Sequence, residues 1–405
     1  MMKALKRSFS ESWLPLGAYW STPFVRWQGS FASAHPVKLA GDVGRKALEA
    51  KGIDVDTLES VILGTTVPSK ASFFGAPWYA TLIGAPGIGG PTVAQACATS
   101  AKAIAMASGD IDAGAGLTLV VACDRTSNGP VVYYPNPSGP GGMGETEQWV
   151  WDNFNNDPTN NSGGIEMAER LAAEAGITKA DQDELTALRY EQYWDSAAQN
   201  KLVRDGFLAS PIEVMNASGR RVVATVTEDE GVGHPSLEEL QAMRPVFPEG
   251  TVSGGTQTHP ADGNCGVLVG SREQATRLGR DNRAVQIVSF GQARARTGFL
   301  GESTVLSAAA ALDAAGIQMD DVRVIKTHNP FAVHDVYFAK QFGLSWEKFN
   351  NHGSSLVYGH PNGATGMRGI MEVSEELAHT GGGYGLFSGC AAGDTGAAVV
   401  VRLEE

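Results

Sequence analysis

The chain has 405 residues, of which 42% are hydrophobic and only 19% charged, and its 31 Lys and Arg against 44 Asp and Glu give a formal charge of −13. This length predicts two or three domains or one large α/β unit, and the low charge fraction excludes an intrinsically disordered chain. The acidity argues against nucleic acid or an anionic membrane surface as a partner, because such surfaces require basic patches.

Targeting and redox signals point to the cytoplasm. The stretch SFSESWLPLG after Arg7 has no apolar core of the length that a signal peptide needs, and no window approaches the ~20 apolar residues of a membrane span. The four cysteines lie far apart, which fits neither a disulfide framework nor a CxxC metal site. We therefore expect a cytoplasmic protein with free thiols.

The first part of the chain alternates helix and strand patterns. We predict a helix over 38–51 and apolar strands over 60–67 and 117–123. Continuous apolar strands separated by helices are typical of βαβ units around a buried, largely parallel sheet.

The middle of the chain has a different composition. Residues 133–164 hold several prolines, a GGMG run and many asparagines, and predict a long irregular loop. Helices are predicted over 165–175 and 179–200, and another begins after Ser236, because Glu239 stands in the capping-box position. This section is predicted to be a helical insertion.

A second α/β series follows residue 284. We predict strands at AVQIVSF, 322–326, YGLFSGC and GAAVVVRL, with helices over 303–316, 331–342 and 362–379. Two α/β halves of similar size are therefore expected.

Cys97 and His360 are the first candidates for chemistry. Cys97 precedes a run of small helix-forming residues, so its sulfur is expected near a helix N-terminus, whose N–H groups favour the thiolate and lower the cysteine pKa. A cysteine among alanines is also typical of a small buried core residue. His360 precedes a glycine-rich turn and a helix, which favours the neutral imidazole that a base needs; the alternative is a residue that only stabilises the turn.

Two further residues lie at strand ends, where the active sites of α/β proteins gather. Cys390 ends the segment YGLFSGC, and His328 follows a strand and precedes Asn329 and Pro330. One cysteine or histidine at the end of a strand or helix is common. Four of them, two thiols and two imidazoles, predict a Cys/His constellation for covalent acyl transfer.

The order of these motifs resembles the thiolase family over nearly the whole chain. CATS at Cys97 resembles the nucleophile motif, HNPFA at His328 resembles NEAFA or HEAFA, GHPNGATG at His360 resembles GHPxGASG, and SGCAAGDTG at Cys390 resembles the CxGGG block. Four blocks in the family's order are far more specific than any single motif.

The resemblance implies an α/β fold with a five-layer αβαβα core made of two similar halves and a helical loop domain inserted in the first half. The expected domains are an N-terminal half at 1–128, a loop domain for coenzyme A and substrate at 129–246, a return to the first half at 247–275 and a C-terminal half at 276–405.

The resemblance also implies a role for each site residue. Cys97 becomes acylated, His360 activates it, Cys390 moves the proton at the α-carbon, and His328 orients a water or donates to the thioester oxyanion. The backbone N–H groups of Cys97 and Ala392 form a second oxyanion hole.

The implied reaction is the thiolytic cleavage of a 3-ketoacyl-CoA, or the reverse condensation. We expect the degradative direction, as in β-oxidation, in a homodimer or a dimer of dimers. Coenzyme A and acyl-CoA are substrates, and neither a permanent cofactor nor a metal site is expected.

Two departures from the family pattern concern the oxyanion hole and coenzyme A. Ala392 stands where the family has glycine, so the hole is expected to be shifted. The arginine that stacks on adenine in many thiolases is missing after the acidic residues 228–230. Arg220 and Arg221 are the candidate substitutes, with solvated surface charge as the alternative, and Thr258 replaces the serine that contacts pantetheine.

Three alternatives stay open. The altered coenzyme A motif resembles that of thiolases which need a small zinc-bearing OB-fold partner subunit, such as those for benzoylsuccinyl-type thioesters. The other two are a thiolase-like retro-aldolase and a non-catalytic scaffold, and the Cys97, His360 and Cys390 set argues against both. The loop at 133–164 with Trp78, Tyr79 and Tyr358 predicts a pocket for a bulky acyl chain, with core packing as the alternative.

Overall fold

The computed structural model describes residues 3–199, 202–216 and 218–405. Its N-terminal part alternates strands and helices as predicted. The strands are β1 (Ala4–Ser8), β2 (Trp13–Pro15), β3 (Tyr19–Ser21), β4 (Val25–Arg26), β5 (Ser60–Gly64), β6 (Thr92–Val93) and β7 (Thr118–Arg125). The helices are α1 (Pro36–Ala50), α2 (Gly75–Leu82) and α3 (Thr99–Asp112). Pro36 starts α1 because its fixed φ suits the first helical turn.

The middle of the chain is mainly helical but also contains two antiparallel hairpins. The strands are β8 (Val131–Tyr134), β9 (Glu145–Gln148), β10 (Ile212–Met215) and β11 (Val222–Val226), and β8 pairs with β9 and β10 with β11. The helices are α4 (Trp151–Asn155), α5 (Gly164–Ala175), α6 (Lys179–Gln199), α7 (Leu202–Phe207) and α8 (Leu237–Ala242). The predicted irregular loop at 133–164 therefore contains part of a hairpin and a short helix. Residue 200, the predicted end of one helix, lies outside the described residues.

The C-terminal part repeats the α/β pattern. Its strands are β12 (Ala261–Val269), β13 (Ala284–Arg294), β14 (Val322–His328), β15 (Gly383–Ala391) and β16 (Thr395–Leu403). The helices are α9 (Arg272–Leu278), α10 (Glu302–Ala315), α11 (Ala332–Phe342), α12 (Ser355–Tyr358) and α13 (Thr365–His379).

Two mixed sheets form the frame of the fold. The first has the order β3-β12-β7-β5-β6, with β4 also on β12; the second has the order β1-β13-β16-β15-β14, with β2 on β13. Only the pairs β5–β6, β5–β7 and β14–β15 are parallel among these described strands. The prediction of a largely parallel sheet is therefore wrong, because a strand buried on both faces has the same apolar composition in either orientation.

Helices and sheets stack in five layers, which confirms the predicted αβαβα core. Helices α3 and α13 lie between the two sheets, α1 and α2 cover the outer face of the first sheet, and α10 and α11 cover that of the second. The middle helices pack on this core through α5 and α6 against α11 and α7 against α13. No described helix combines the length and apolarity that crossing a bilayer requires. The domain boundaries given above stay a prediction.

The central helix α13 carries a buried charge network. Arg368 donates to both carboxylate oxygens of Asp229 at 2.7 and 2.8 Å and to Glu372 at 3.2 Å, while Lys326 lies 2.6 Å from Glu372. Asp229 also accepts from the Tyr193 hydroxyl at 3.0 Å. Burial by itself raises the pKa of Asp229, but Arg368 outweighs it, so this pKa lies below its ordinary value. The network ties the middle section to the central helical layer.

Replacing Asp229 with alanine is expected to lower the free energy of unfolding by about 3–5 kcal/mol, because it leaves the buried Arg368 guanidinium without its bidentate partner. Denaturant unfolding followed by circular dichroism measures this loss. The neighbouring Glu228 is exposed, and Glu228→Ala is the matched control with an expected change below about 0.5 kcal/mol. Equal losses in the two variants would contradict the prediction.

Candidate active site

Cys97 lies in a tight turn between β6 and α3. The preceding residue, Ala96, has a left-handed φ of 43°, a conformation that costs a residue with a side chain about 1–2 kcal/mol. The Thr99 hydroxyl holds the turn, since it donates to the Ala96 carbonyl at 2.7 Å and accepts from the Gln95 N–H at 2.8 Å. Such strain persists where the surrounding structure fixes it. The turn places Cys97 just before the N-terminus of α3, as the sequence predicts.

His360 lies against this thiol. Its Nε2 atom is 3.0 Å from Cys97 Sγ, and its Nδ1 atom is 2.6 Å from the Thr365 hydroxyl. Burial raises the pKa of the Cys97 thiol and keeps it protonated, so Nε2 accepts from the S–H group and Nδ1–H donates to Thr365. The two residues are 263 positions apart in the chain, and the fold brings them into the contact that a nucleophile and its base require.

Asp124 anchors the turn that carries His360. Its buried carboxylate accepts from the Gly363 N–H at 2.9 Å, and from N–H or hydroxyl groups of Thr65, Thr66 and Val67 at 2.7–3.0 Å. The end of β7 is thereby fixed to the His360 turn. Asp124 was not among the predicted site residues, although an acidic side chain directly after the apolar run LTLVVAC was a signal that pointed to it.

His328 stacks on His360. The two ring centroids are 4.0 Å apart with an interplanar angle of 24°. Nδ1 of His328 lies 2.7 Å from the Ser355 hydroxyl, and Thr258 donates to the Ser355 carbonyl at 2.5 Å. Nε2 of His328 is buried and has no hydrogen-bond partner among the described residues. This nitrogen is therefore available to a substrate oxygen. Ser355 positions the His328 ring, and Thr258 lies next to Ser355.

Cys390 lies near the end of β15 and is 1% exposed. It packs with Met167 of α5 and Leu300. Burial raises the pKa of its thiol well above the ordinary value, and the neighbouring Cys97 adds to that rise. The second thiol therefore belongs to the same buried site.

Ala392 contributes its backbone to the site without strain. The positive φ angles of this turn fall on Gly393 (78°) and Asp394 (56°), and Ala392 has none. Its N–H group lowers the pKa of the Cys97 thiol, as does the N–H group of Cys97 itself, so both N–H groups lie close to the sulfur. Ala392 therefore has a backbone conformation that any residue adopts, and the expected shift of the oxyanion hole stays a prediction.

The resting Cys97–His360 pair is neutral. Burial raises the pKa of Cys97 to about 12, and the backbone N–H groups of Ala392 and Cys97 offset only part of this rise. The predicted lowering of the Cys97 pKa is therefore wrong, because desolvation of the thiolate outweighs the helix N-terminus. Burial also lowers the pKa of His360 to about 3. The structure therefore places a protonated thiol beside a neutral imidazole.

Several predicted residues lie away from these groups. Arg220 and Arg221 are exposed at the turn between β10 and β11, where their backbone N–H groups donate to Asn216. Trp78 and Tyr79 belong to α2 in the outer layer of the first sheet. The pocket-lining prediction for these two aromatic residues is wrong, because they cover the outer face of a sheet.

The remaining aromatic candidates divide between core and site. The guanidinium carbon of Arg368 lies 3.9 Å from the centroid of the Tyr358 ring, so Tyr358 packs against the charge network. Trp149, from the loop at 133–164, donates to the Thr66 carbonyl at 2.9 Å. Asn160 of the same loop donates to the sulfur of Met167 at 3.7 Å. The loop therefore reaches residues that surround Asp124 and Cys390.

The region of the missing arginine is acidic. Asp229 is paired with Arg368 in the core, and the His234 ring is tilted against Trp194 with ring centroids 5.6 Å apart. A cleft of about 380 Å³ lies beside them, and its described lining includes Glu191 and Glu238 but no Lys or Arg. A lining of this charge repels phosphate groups.

His334, one turn into α11, supplies an acid-stability prediction. Its ring is buried against Gly301 and Phe331, and neither nitrogen has a hydrogen-bond partner among the described residues. Burial lowers its pKa to about 3. In the unfolded chain the pKa of a histidine is about 6.5. Above that pH the imidazole is neutral in both states and its full contribution to the free energy of unfolding is present. As the pH falls toward 3, only the unfolded chain binds the proton, and this contribution is lost.

His334→Leu is therefore expected to raise the free energy of unfolding more at pH 5 than at pH 7.5, by about 2 kcal/mol. Urea unfolding at the two pH values measures the difference. His379→Leu removes an exposed imidazole at the end of α13 and is the control for the change of residue type. A gain that does not depend on pH in His334→Leu contradicts the prediction.

Comparisons with known proteins cover most of the chain. The family models described as Thiolase, N-terminal domain, and Thiolase, C-terminal domain, match residues 18–273 and 282–403. The chain is 27% identical over 388 residues to an acetyl-CoA acetyltransferase of Pseudomonas aeruginosa, which covers 93% of this chain and 96% of that protein. It is 33% identical over 268 residues to a 3-ketoacyl-CoA thiolase of Aliivibrio fischeri, which covers 60% and 58%.

The fold matches solved structures over nearly its whole length. The human mitochondrial 3-ketoacyl-CoA thiolase in complex with CoA superposes with a TM-score of 0.87 at 22% identity, and the match covers 98% of this chain and 100% of that one.

Proposed function

The chain belongs to the thiolase family and is an acyltransferase, and we propose that it cleaves a 3-ketoacyl-CoA by thiolysis through an acyl-Cys97 intermediate. The observation that carries the proposal is the 3.0 Å contact between Cys97 Sγ and His360 Nε2. A thioester intermediate needs a group that both attacks and leaves well, and a cysteine does both.

The first half-reaction forms the acyl-enzyme. Cys97 attacks the 3-keto carbonyl while His360 takes the thiol proton, and the resulting oxyanion is stabilised by the N–H groups of Cys97 and Ala392. The bond between the α- and β-carbons then breaks and expels the enolate of acetyl-CoA. His328 and His360 face the enolate oxygen, and Cys390 donates its proton to the α-carbon.

The second half-reaction restores the enzyme. The thiol of an incoming CoA gives its proton to the Cys390 thiolate and attacks the acyl-Cys97 carbonyl. As the carbon–sulfur bond to Cys97 breaks, His360 returns its proton to the Cys97 sulfur. Each proton and each bond is thereby accounted for, and no redox partner is needed.

The handling of coenzyme A favours one additional proposal. The acidic lining of the cleft beside His234 and the absence of the adenine-stacking arginine are consistent with a partner subunit that supplies the CoA contacts. The small zinc-bearing OB-fold subunit, and with it a benzoylsuccinyl-type substrate, are proposals on this ground. Assembly as a homodimer or a dimer of dimers and a cytoplasmic location also stay predictions.

The test is an assay of 3-ketoacyl-CoA loss with free CoA over short, long, branched and aromatic acyl chains, with the lone chain and with a candidate partner subunit. We expect turnover of a 3-ketoacyl-CoA with at least one of these acyl groups. Without free CoA, we expect mass spectrometry to detect a stable acyl adduct on Cys97. A retro-aldolase turns over without that adduct. A folded protein that gives neither turnover nor an adduct with any acyl group is a scaffold. Turnover without an adduct, or the absence of both, overturns the proposal.

A further inference from the structure

Three side chains that ligate soft metal ions converge at the reacting thiol. Cys97, His328 and His360 each offer one ligand atom, and these atoms all lie within 4.8 Å of one another. Cys97 Sγ and His360 Nε2 are 3.0 Å apart. A tetrahedral zinc ion with ordinary Zn–S and Zn–N bonds holds sulfur and nitrogen about 3.6 Å apart. The ion is admitted when the Cys97 sulfur moves away from His360 by about half an ångström and the His328 ring turns out of its stack on His360, so that both Nε2 atoms point at one centre.

The rings are already held as zinc-binding histidines are held. A histidine that ligates a metal through one nitrogen almost always fixes its other nitrogen by a hydrogen bond. Here Nδ1 of His360 is held by Thr365 at 2.6 Å, and Nδ1 of His328 by Ser355 at 2.7 Å. Nε2 of His360 faces the thiol, and Nε2 of His328 is buried without a partner among the described residues.

The hydroxyl of Ser355 allows His328 two states. When the hydroxyl donates to Nδ1, the ring presents an Nε2–H group, which is the donor that a substrate oxyanion needs. When the hydroxyl accepts from Nδ1–H, the ring presents the Nε2 lone pair, which is the ligand that a cation needs. The same imidazole thus serves the proposed reaction in one tautomer and a metal ion in the other.

We propose that Cys97, His328 and His360 bind one Zn²⁺ ion per chain and that this ion reversibly blocks the nucleophile. One Zn–S and two Zn–N bonds form, the Cys97 thiol proton passes to solvent, and nothing is oxidised or reduced. The three protein ligands leave the fourth tetrahedral position to water. The sequence analysis predicted no metal site, because the ligands come from three separate segments of the chain.

Binding is tested without reference to activity. The metal-free protein is titrated with Zn²⁺ by calorimetry and with Co²⁺ by absorption spectroscopy, where a sulfur-to-cobalt charge-transfer band reports the thiolate. We expect one ion per chain, loss of the band in Cys97→Ala and at least about tenfold weaker binding in His328→Ala. Cys265→Ala and His334→Leu remove a buried thiol and a buried imidazole outside the cluster, and should bind as wild type does.

A second measurement uses only the wild-type chain. Zn²⁺ should protect Cys97, identified by mass spectrometry, from alkylation by iodoacetamide, and a chelator should remove the protection. Unchanged alkylation of Cys97 at saturating Zn²⁺, or a Co²⁺ band that persists in Cys97→Ala, overturns the proposal.

The inhibitory part of this inference rests on the proposed function, and the two can fail separately. We expect Zn²⁺ to abolish thiolysis and a chelator to restore it. If the chain binds one Zn²⁺ through Cys97 but cleaves no 3-ketoacyl-CoA, the proposed function fails and the metal site stands. If the chain is active and Zn²⁺ at saturating concentration neither binds nor inhibits, the metal proposal fails alone.

Discussion

Cys97→Ser is expected to lower kcat for thiolysis by at least about 10⁴-fold, a loss of the size seen when a nucleophile is removed from a catalytic group that acts as a unit. Serine fits the space of the thiol, so the fold is expected to stay intact. An alcohol is a far weaker acid than a thiol, and the neutral His360 then lacks the driving force to deprotonate it while it attacks. An acyl-serine, once formed, is also an ester and a poorer acyl donor to CoA than a thioester.

The measurement combines steady-state thiolysis with mass spectrometry of the acyl-enzyme. Cys265 is a buried core residue, and Cys265→Ala is the matched control, with activity expected within about twofold of wild type. Circular dichroism and the unfolding midpoint establish that both variants are folded. A serine variant that turns over at a near wild-type rate shows that Cys97 is not the nucleophile.

His360→Asn is expected to cost on the order of 10⁴-fold in kcat and to abolish acylation of Cys97. The asparagine amide is able to keep a hydrogen bond to Thr365, but it accepts no proton. The Cys97 thiol, whose pKa is raised to about 12 by burial, then stays protonated at neutral pH. Single-turnover release of CoA from an acyl-CoA measures the acylation step.

The same step gives a pH test of the neutral pair. Because burial lowers the pKa of His360 to about 3 and raises that of Cys97 to about 12, neither group changes its charge between pH 5 and pH 9. The acylation rate of the wild-type chain is therefore expected to be flat over this range. A rate that falls tenfold per unit below pH 6.5 indicates an imidazole with an ordinary pKa and contradicts the neutral pair. For the His360→Asn variant, His379→Asn at the exposed end of α13 is the control for a general effect of histidine removal.

Local signals in the sequence were sufficient for most helices and for the candidate residues. The capping box at Ser236 and Glu239 marks the start of α8 as predicted, because the pattern satisfies backbone groups within one turn. The thiols and imidazoles at Cys97, His328, His360 and Cys390 stand at strand or helix ends, and there the chain alone identified them. Strand direction was not readable, since the parallel pair β5–β7 and the antiparallel pair β15–β16 both consist of buried, mainly apolar strands.

The sequence by itself determined the order of the motifs, the thiolase resemblance and the residue types that carry acyl transfer. Tertiary structure alone decided that Cys97 and His360 meet at 3.0 Å, that Asp124 holds the His360 turn and Ser355 the His328 ring, and that Asp229 is a buried partner of Arg368. It also reversed the expected pKa of Cys97. The physical reason is that capping and periodicity act within a few residues, whereas desolvation and side-chain contacts depend on groups that only folding brings together.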